Sequence, residues 1–288
     1  MLLFLIRRLL LAIPALLGLM VLTFVLVRVV PADPATTLAG ETATPQQVQE
    51  IRRKYGFDRP LYEQFAIYVG QVARGDLGNS VFSNRPVMDD VRRTLPATLE
   101  LIVVSLLLAA LIGIPLGILA AERERLWRWV QVLIDTLQTL PSFVYLMPAV
   151  MLFRVGDFTA MIAVVAYAVV PAIRYTVLGL RRVDPRLIEA GRAMGCTRWQ
   201  ILMKIRLKLA LPEIMLGVNQ TIMFALSMLV ITALVGTRDL GQEVYIALTK
   251  ADTGRGILAG LAIAFIAIIA DRLIAAGAAR TRARLGLA

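Results

Sequence analysis

Glu189, Ala190 and Gly191, then Gly195, then Ile205 and Leu207, form the combination in this chain that most suggests a task. They lie in EAGRAMGCTRWQILMKIRLKLALP, a polar and basic stretch from Glu189 to Pro212 set between two apolar runs of membrane length. The chemistry such a set offers is recognition. An acidic residue beside small ones, a glycine and two aliphatic anchors make a surface on which another protein docks. Gly195 lets the backbone turn sharply between two short helices, because only glycine enters left-handed conformations without cost. Glu189 is expected near the start of such a helix, where a carboxylate favours the positive end of the dipole. Ile205 and Leu207 are expected to anchor the stretch against the membrane helices.

Covalent chemistry has little to work with. The chain has no His, which removes imidazole catalysis, Ser-His proteolysis and the commonest metal ligand together. It has no G-x-x-x-x-G-K-[ST] loop, so it does not bind ATP in the P-loop manner. Asp135 and Asp157, cast as an intramembrane aspartyl pair, both fall at predicted helix ends. No catalytic residue, metal site or cofactor is therefore expected, and the chain reads as a non-enzyme.

The elements that must position the docking stretch are membrane helices. The chain has 288 residues, 58% of them hydrophobic, and a mean hydropathy of +0.74, too apolar for a soluble domain. The net charge of +11 does not point to nucleic acid. Its Lys and Arg residues cluster between apolar runs, where positive-inside sorting places them. The single Cys196 lies in the polar stretch, so no intrachain disulfide forms and the thiol is expected to face a reducing cytosol. From Leu9 to Val27 there is no charge, a length nearer the ~20 residues that cross a bilayer than a signal-peptide core, so this reads as an uncleaved first helix.

Five further apolar runs follow, near 98–120, 130–153, 158–180, 213–235 and 257–278, each long enough to cross ~30 Å as a helix. The fold class is thus an all-α polytopic membrane protein with six transmembrane helices, which puts both termini on one side. Arg7 and Arg8, Arg123 to Arg128, Arg181 to Lys208, and Arg280 to Arg284 fall on that side, whereas the other has only Arg154, Arg238, Lys250 and Arg255 in its short loops. Both termini and the 181–212 loop are therefore expected in the cytoplasm. The organisation expected is residues 1–97 as a first helix plus an outer segment, 98–278 as the five-helix core containing the 181–212 loop, and 279–288 as a basic tail. The outer segment carries amphipathic stretches, VQEIRRKYGF and LYEQFAIYVGQVAR, between turn signals, and is expected to form a small lid of short helices.

Pro141 and Pro148 fall seven residues apart in one run, with Gln138, Thr139, Ser142 and Tyr145 around them. Breaks of this kind are tolerated in a bilayer where protein or a cavity satisfies the freed carbonyls. Gln138 and Tyr145 are accordingly expected to line a path through the membrane. Asn219 and Gln220, polar residues in the 213–235 run, are expected to border it too, although interhelical hydrogen bonding explains them equally well. No buried acidic residue suited to coupling protons is evident, which disfavours a secondary transporter of the inverted-repeat kind.

The order of residues from Glu189 to Pro212 resembles the EAA loop of ABC importer permeases. Residues 1 to about 120 resemble dipeptide and oligopeptide permeases, in RRLLLAIPALLGLMVLTFVLVRVVPADPA, YGFDRPLYEQF, ARGDLGNSVFSNRPV and TLPATLEL. From about Asp135 onward the chain resembles permeases for glycine betaine, proline and choline, in QTLPSFVYLMPAVMLF, VPAIRYTVLGLRRVDPRLIEAGRAMGCTRWQ, LPEIMLGVNQTIMFALSMLVITALVG and DLGQEVYIALTKADTGRG. The changeover falls near Gly113, Pro115 and Gly117. The resemblance implies the type I ABC importer permease fold, in the bacterial inner membrane. It implies that Glu189, Ala190, Gly191, Gly195, Ile205 and Leu207 couple the chain to cytoplasmic ATPase subunits. An external binding protein would deliver the substrate, and a second permease subunit, by likeness to the betaine type a second copy, would complete the path. The substrate implied by the C-terminal half is a compatible solute such as glycine betaine, proline or choline; the alternative is a peptide. One departure stands out: the family has Pro where this chain has Lys208, so the helix is expected to lengthen there.

Overall fold

The computed structural model describes residues 14, 17–18, 21, 24–25, 34–40, 43–74, 80, 85–250 and 252–286. Every element among them is helical: α1 (Pro34–Ala39), α2 (Pro45–Lys54), α3 (Leu61–Ala73), α4 (Val87–Glu122), α5 (Glu124–Thr139), α6 (Phe143–Phe153), α7 (Asp157–Arg181), α8 (Pro185–Ala193), α9 (Arg198–Val235), α10 (Leu240–Lys250) and α11 (Thr253–Arg284). Four helices are long and apolar enough to cross a membrane: α4, α7, α9 and, from Gly254, α11. The span expected over residues 9–27 lies mostly outside the described residues.

The 130–153 run is not one doubly kinked helix. α5 ends at Thr139, Leu140 turns to an extended backbone (ψ 134°), and α6 starts at Phe143. A residue before proline is pushed out of the helical region by the ring, and Leu140 precedes Pro141. Only Pro148 lies inside a helix of this run.

The chain divides into two compact units, Met1–Pro96 with Asp239–Ile263, and Ala97–Arg238 with Ala264–Ala288. In the first, both amphipathic stretches of the outer segment are helical. Thr44 caps α2 in a reciprocal box: its Oγ1 accepts from the Gln47 N–H at 3.4 Å, while its own N–H donates to Gln47 Oε1 at 2.9 Å. Phe24, Ile257 and Leu261 form a small buried cluster against which Phe65 packs edge-on to Phe24.

This unit also buries charge. The Arg255 guanidinium donates to Glu243, each side chain being 7% exposed, and Ser80 Oγ donates to Asp252 Oδ2 at 2.6 Å. Asp252 also caps α11 by accepting from the Arg255 N–H at 3.2 Å. Arg255, expected in a short outer loop, is thus a buried helical residue. Burial, and then the Asp252 charge, push the Tyr68 phenol above its ordinary range, so the hydroxyl stays neutral.

The second unit is built around α7, whose Ala160, Ala163, Val164, Ala168, Val170 and Ile173 are buried with Ile134 of α5 and Met228 of α9. Glycines let its neighbours approach. A Cβ on Gly113 or Gly117 of α4 would lie 2.7 Å from Ala172 Cβ or Thr176 Cβ of α7, and one on Gly217 of α9 would lie 2.6 Å from Tyr175 Cβ. Small residues spaced four apart are what bring helices into close contact where no hydrophobic force separates protein from lipid.

Candidate functional site

The polar stretch folds into a helical hairpin whose turns are written in adjacent residues. Asp184 caps α8, accepting from the Arg186 N–H at 2.9 Å, with Pro185 at the first helical position. The helix therefore begins earlier than expected. Glu189 is its fifth residue rather than one near its start, and the favourable interaction with the positive helix end belongs to Asp184. Glu189 and Ala190 are exposed.

At the other end of α8, Gly195 has φ +79°. The Gly195 N–H donates to Arg192 O at 2.9 Å and the Cys196 N–H to Gly191 O at 3.0 Å, the paired bonds of a Schellman cap. Thr197 then opens α9 with a capping box, its N–H donating to Gln200 Oε1 at 2.9 Å and its Oγ1 accepting from the Gln200 N–H at 3.3 Å.

Gly191 is buried because Ile205 lies on it: a Cβ there would be 2.6 Å from Ile205 Cδ1. The glycine and the aliphatic anchor fourteen positions later thus make one contact that ties α8 to the first turns of α9. Leu207 packs beside the buried cluster of Leu180, Ala210 and Ile214. Between them, residues Ile201–Arg206 are wound as a π-helix, with the Leu207 N–H donating to Leu202 O. Such wider turns are rare and occur mostly as single-turn bulges inside α-helices, often at functional sites. The helix then runs unbroken through Lys208 to Val235, and Pro212 is contained inside it.

Ionic contacts pin this end of the bundle. Arg206 donates to Glu122 at the end of α4 and, at 3.3 Å, to the Leu180 carbonyl near the end of α7, where a cation meets the negative helix terminus. Arg181 pairs with Glu124 at 2.7 Å and stands over the Trp127 ring, while Glu213 is shared by Arg182 at 3.4 Å and Arg282 at 3.3 Å.

The membrane-path candidates do not form one cluster. Gln138 is half-buried near the end of α5, and Gln220 is half-buried on α9. Tyr145 belongs to α6, but its side chain lies outside the described residues. Asn219, 7% exposed, donates from Nδ2 to Asp271 Oδ1 of α11 at 2.8 Å. Asp271 is the acidic residue within an apolar run that the reading above did not single out. Its signal was present, since an ionisable residue in a spanning segment marks a partner or a site by default. Asn219→Ala is expected to leave that carboxylate without its donor and to lower stability by about 1–3 kcal/mol, measured as thermal unfolding in detergent. Asn219→Ala combined with Asp271→Ala should cost less than the single change.

Long apolar helices, a capped polar hairpin between two of them and the absence of strands among the described residues define an all-helical, multi-pass membrane protein. Its fold is that of a type I ABC importer permease. It is similar to the solved MetNI methionine ABC transporter in an inward-facing conformation, with a TM-score of 0.57 and 25% identity over 66% of this chain and 97% of that one. Residues 113–283 match the family described as binding-protein-dependent transport system inner membrane component, and residues 1–102 match that component's N-terminal region. The chain belongs to this family and is a multi-pass inner-membrane protein.

Both expected resemblances are found. The chain is 46% identical over 176 residues to the glycine betaine transport system permease protein OpuAB of Bacillus subtilis (strain 168), covering 61% of this chain and 62% of that protein. It is 43% identical over 187 residues to the glycine betaine/proline betaine permease protein ProW of Escherichia coli (strain K12), covering 65% and 53%. Against the probable D,D-dipeptide permease protein DdpB of the same organism it is 49% identical over 110 residues, 38% of this chain and 32% of that one. The chain thus spans less than two thirds of the length of these relatives.

Proposed function

We propose that this chain is the membrane-spanning permease subunit of an ATP-driven importer. In this reading it carries a quaternary amine or other compatible solute such as glycine betaine, proline or choline. The observation that carries the reading is the α8 hairpin. It presents Glu189 and Ala190 outward, is locked to α9 through Gly191 and Ile205, and is continuous with a spanning helix. Exposed Leu187, Met194 and Trp199 supply apolar contacts around the acidic residue, the mixture that protein interfaces favour.

Cytoplasmic ATPase subunits would grip α8, with both termini and residues 181–212 on that side of the membrane. Closure of the ATPase pair would then displace α9 as a lever, since no break at Lys208 dissipates the motion. The path would be completed by a second copy of the chain and loaded by an external binding protein. Gln138, Tyr145 and Gln220 are assigned to its walls, and Asn219 acts there through Asp271. The compatible-solute substrate is supported by the relatives that share the larger part of the chain. The second reading, a dipeptide or oligopeptide permease, is supported by the likeness of the first 120 or so residues.

Co-expression with a betaine-type ATPase and, separately, with a peptide-type ATPase pair tests the assignment. Co-purification of the betaine-type subunit is expected, and Glu189→Arg should weaken its retention at least ~10-fold, as loss of a central interface contact does. Retention of the peptide-type pair alone would reverse the substrate. Uptake by this chain alone, driven by an ion gradient, would overturn the ABC reading.

A further inference from the structure

Asp135 and Arg174 form an ion pair of 2.6 Å with side chains 50% and 43% exposed, and Arg174 stands on α7, one of the helices apolar enough to span. It lies seven residues before Arg181, about 10 Å further into the bundle at 1.5 Å per residue. Exposing an ion pair of this kind to hydrocarbon costs roughly 2.5–3.5 kcal/mol per charge, so such residues face water or another protein.

The helix carrying Asp135 indicates which. Along α5, Glu124, Arg128, Gln131, Asp135 and Gln138 recur at steps of four, three, four and three, one face of a helix, and the first four are exposed. Val130 and Ile134 on another face are buried in the core, and Trp129, Val132 and Leu133 form an exposed apolar edge. The helix therefore has three environments: protein, an apolar edge suited to lipid, and a polar stripe that continues along its length. A stripe of that length is suited to a water-filled channel and not to lipid.

We propose that the α5 stripe and Arg174 line a hydrated translocation path, and that the Asp135–Arg174 pair is where a zwitterionic solute is met. A carboxylate and a guanidinium held side by side complement a molecule carrying one cation and one carboxylate. The guanidinium takes the solute's carboxylate in a charge-assisted contact while Asp135 faces its ammonium. The exchange leaves no net charge uncovered, which is what makes passage of an ionic molecule past a low-dielectric wall inexpensive. This rests on the chain being a transport subunit and on its substrate being a betaine or a dipeptide, both zwitterions, and not choline, which carries no carboxylate.

The test uses the full chain with Cys196→Ser, assembled in proteoliposomes with its ATPase and with a betaine-binding or dipeptide-binding protein on the outer face, and single cysteines at Gln131, Gln138 or Val132 exposed to a membrane-impermeant thiol reagent on both faces. Gln131→Cys and Gln138→Cys are expected to react at least ~10-fold faster than Val132→Cys, because the reactive thiolate needs water. Glycine betaine and glycylglycine should slow that reaction, choline should not, and Arg174→Gln or Asp135→Asn should abolish the protection while leaving unprotected labelling unchanged. Equal rates at all three positions would overturn the hydrated stripe. Fast labelling without protection, or protection by choline alike, would overturn the zwitterion site. Labelling that follows anionic lipid content and not solute would place Arg174 among lipid headgroups instead. ATP-driven uptake measured in the same proteoliposomes separates the two readings. Uptake without protection sinks this proposal alone, whereas protection without uptake sinks the transport assignment and the translocation path with it, leaving only a zwitterion-binding pair.

Discussion

Gly117→Val is expected to lower sharply the recovery of folded, monodisperse protein after heating. A Cβ at this position meets Thr176 Cβ at 2.7 Å and the Ile173 carbonyl at 3.0 Å, and neither atom can swing aside. One is fixed to the α7 backbone and the other is part of it. The added methyls of valine have no free space, so α4 must move away from α7. Overpacking of this kind costs about 3 kcal/mol at the upper end of its usual range, roughly a hundredfold in the folded fraction. Size-exclusion after heating in detergent measures it. Gly260→Ala, where nothing lies within 4 Å of the new carbon, is the control, and equal stability of the two variants would refute the close approach. Gly113 and Gly117 lie in the segment, with Pro115, near which the two resemblances are expected to change over, and there α4 and α7 require the smallest side chain.

Arg255→Leu is the second large effect expected. Its guanidinium is the cation that Glu243 meets in the interior of the first unit, and it also attracts Asp90 and Asp252. Removing it leaves carboxylates buried without that counter-charge, which costs about 3–5 kcal/mol. The double variant with Glu243→Leu should recover at least half of the loss, since replacing both members of a buried pair by apolar groups is often close to neutral. Thermal unfolding of the single and double variants in detergent decides it. A single variant as stable as the parent would show that the pair is hydrated rather than buried.

The hairpin that presents Glu189 was legible because its signals are local. Of its signals only Gly195, at a positive φ, was read; Asp184 before Pro185 and Thr197 three residues before Gln200 act just as locally but were passed over, which is why α8 begins earlier than expected. The break between α5 and α6 was also written locally, in Leu140-Pro141. It escaped because hydropathy summed over twenty residues does not register where one backbone hydrogen bond is lost. Asp271 escaped for a related reason: a single charge does not end an apolar run.

Sequence by itself therefore determined that this is a multi-pass helical membrane protein resembling binding-protein-dependent permeases, with a polar stretch turning at Gly195 between two short helices. The spans and the turn at Gly195 follow from composition, period and neighbours a few residues apart, whereas the family follows from the resemblance of the Glu189 to Pro212 stretch and its flanking strings to known permeases. Only the tertiary structure decided that Ile205 rests on Gly191, that Arg206 closes onto Glu122, that Asn219 holds Asp271, that Asp135 meets Arg174 and that Arg255 is buried on Glu243. Each of these pairs joins residues more than ten positions apart, and which charge finds which partner depends on how the helices are stacked, a quantity that no local pattern encodes.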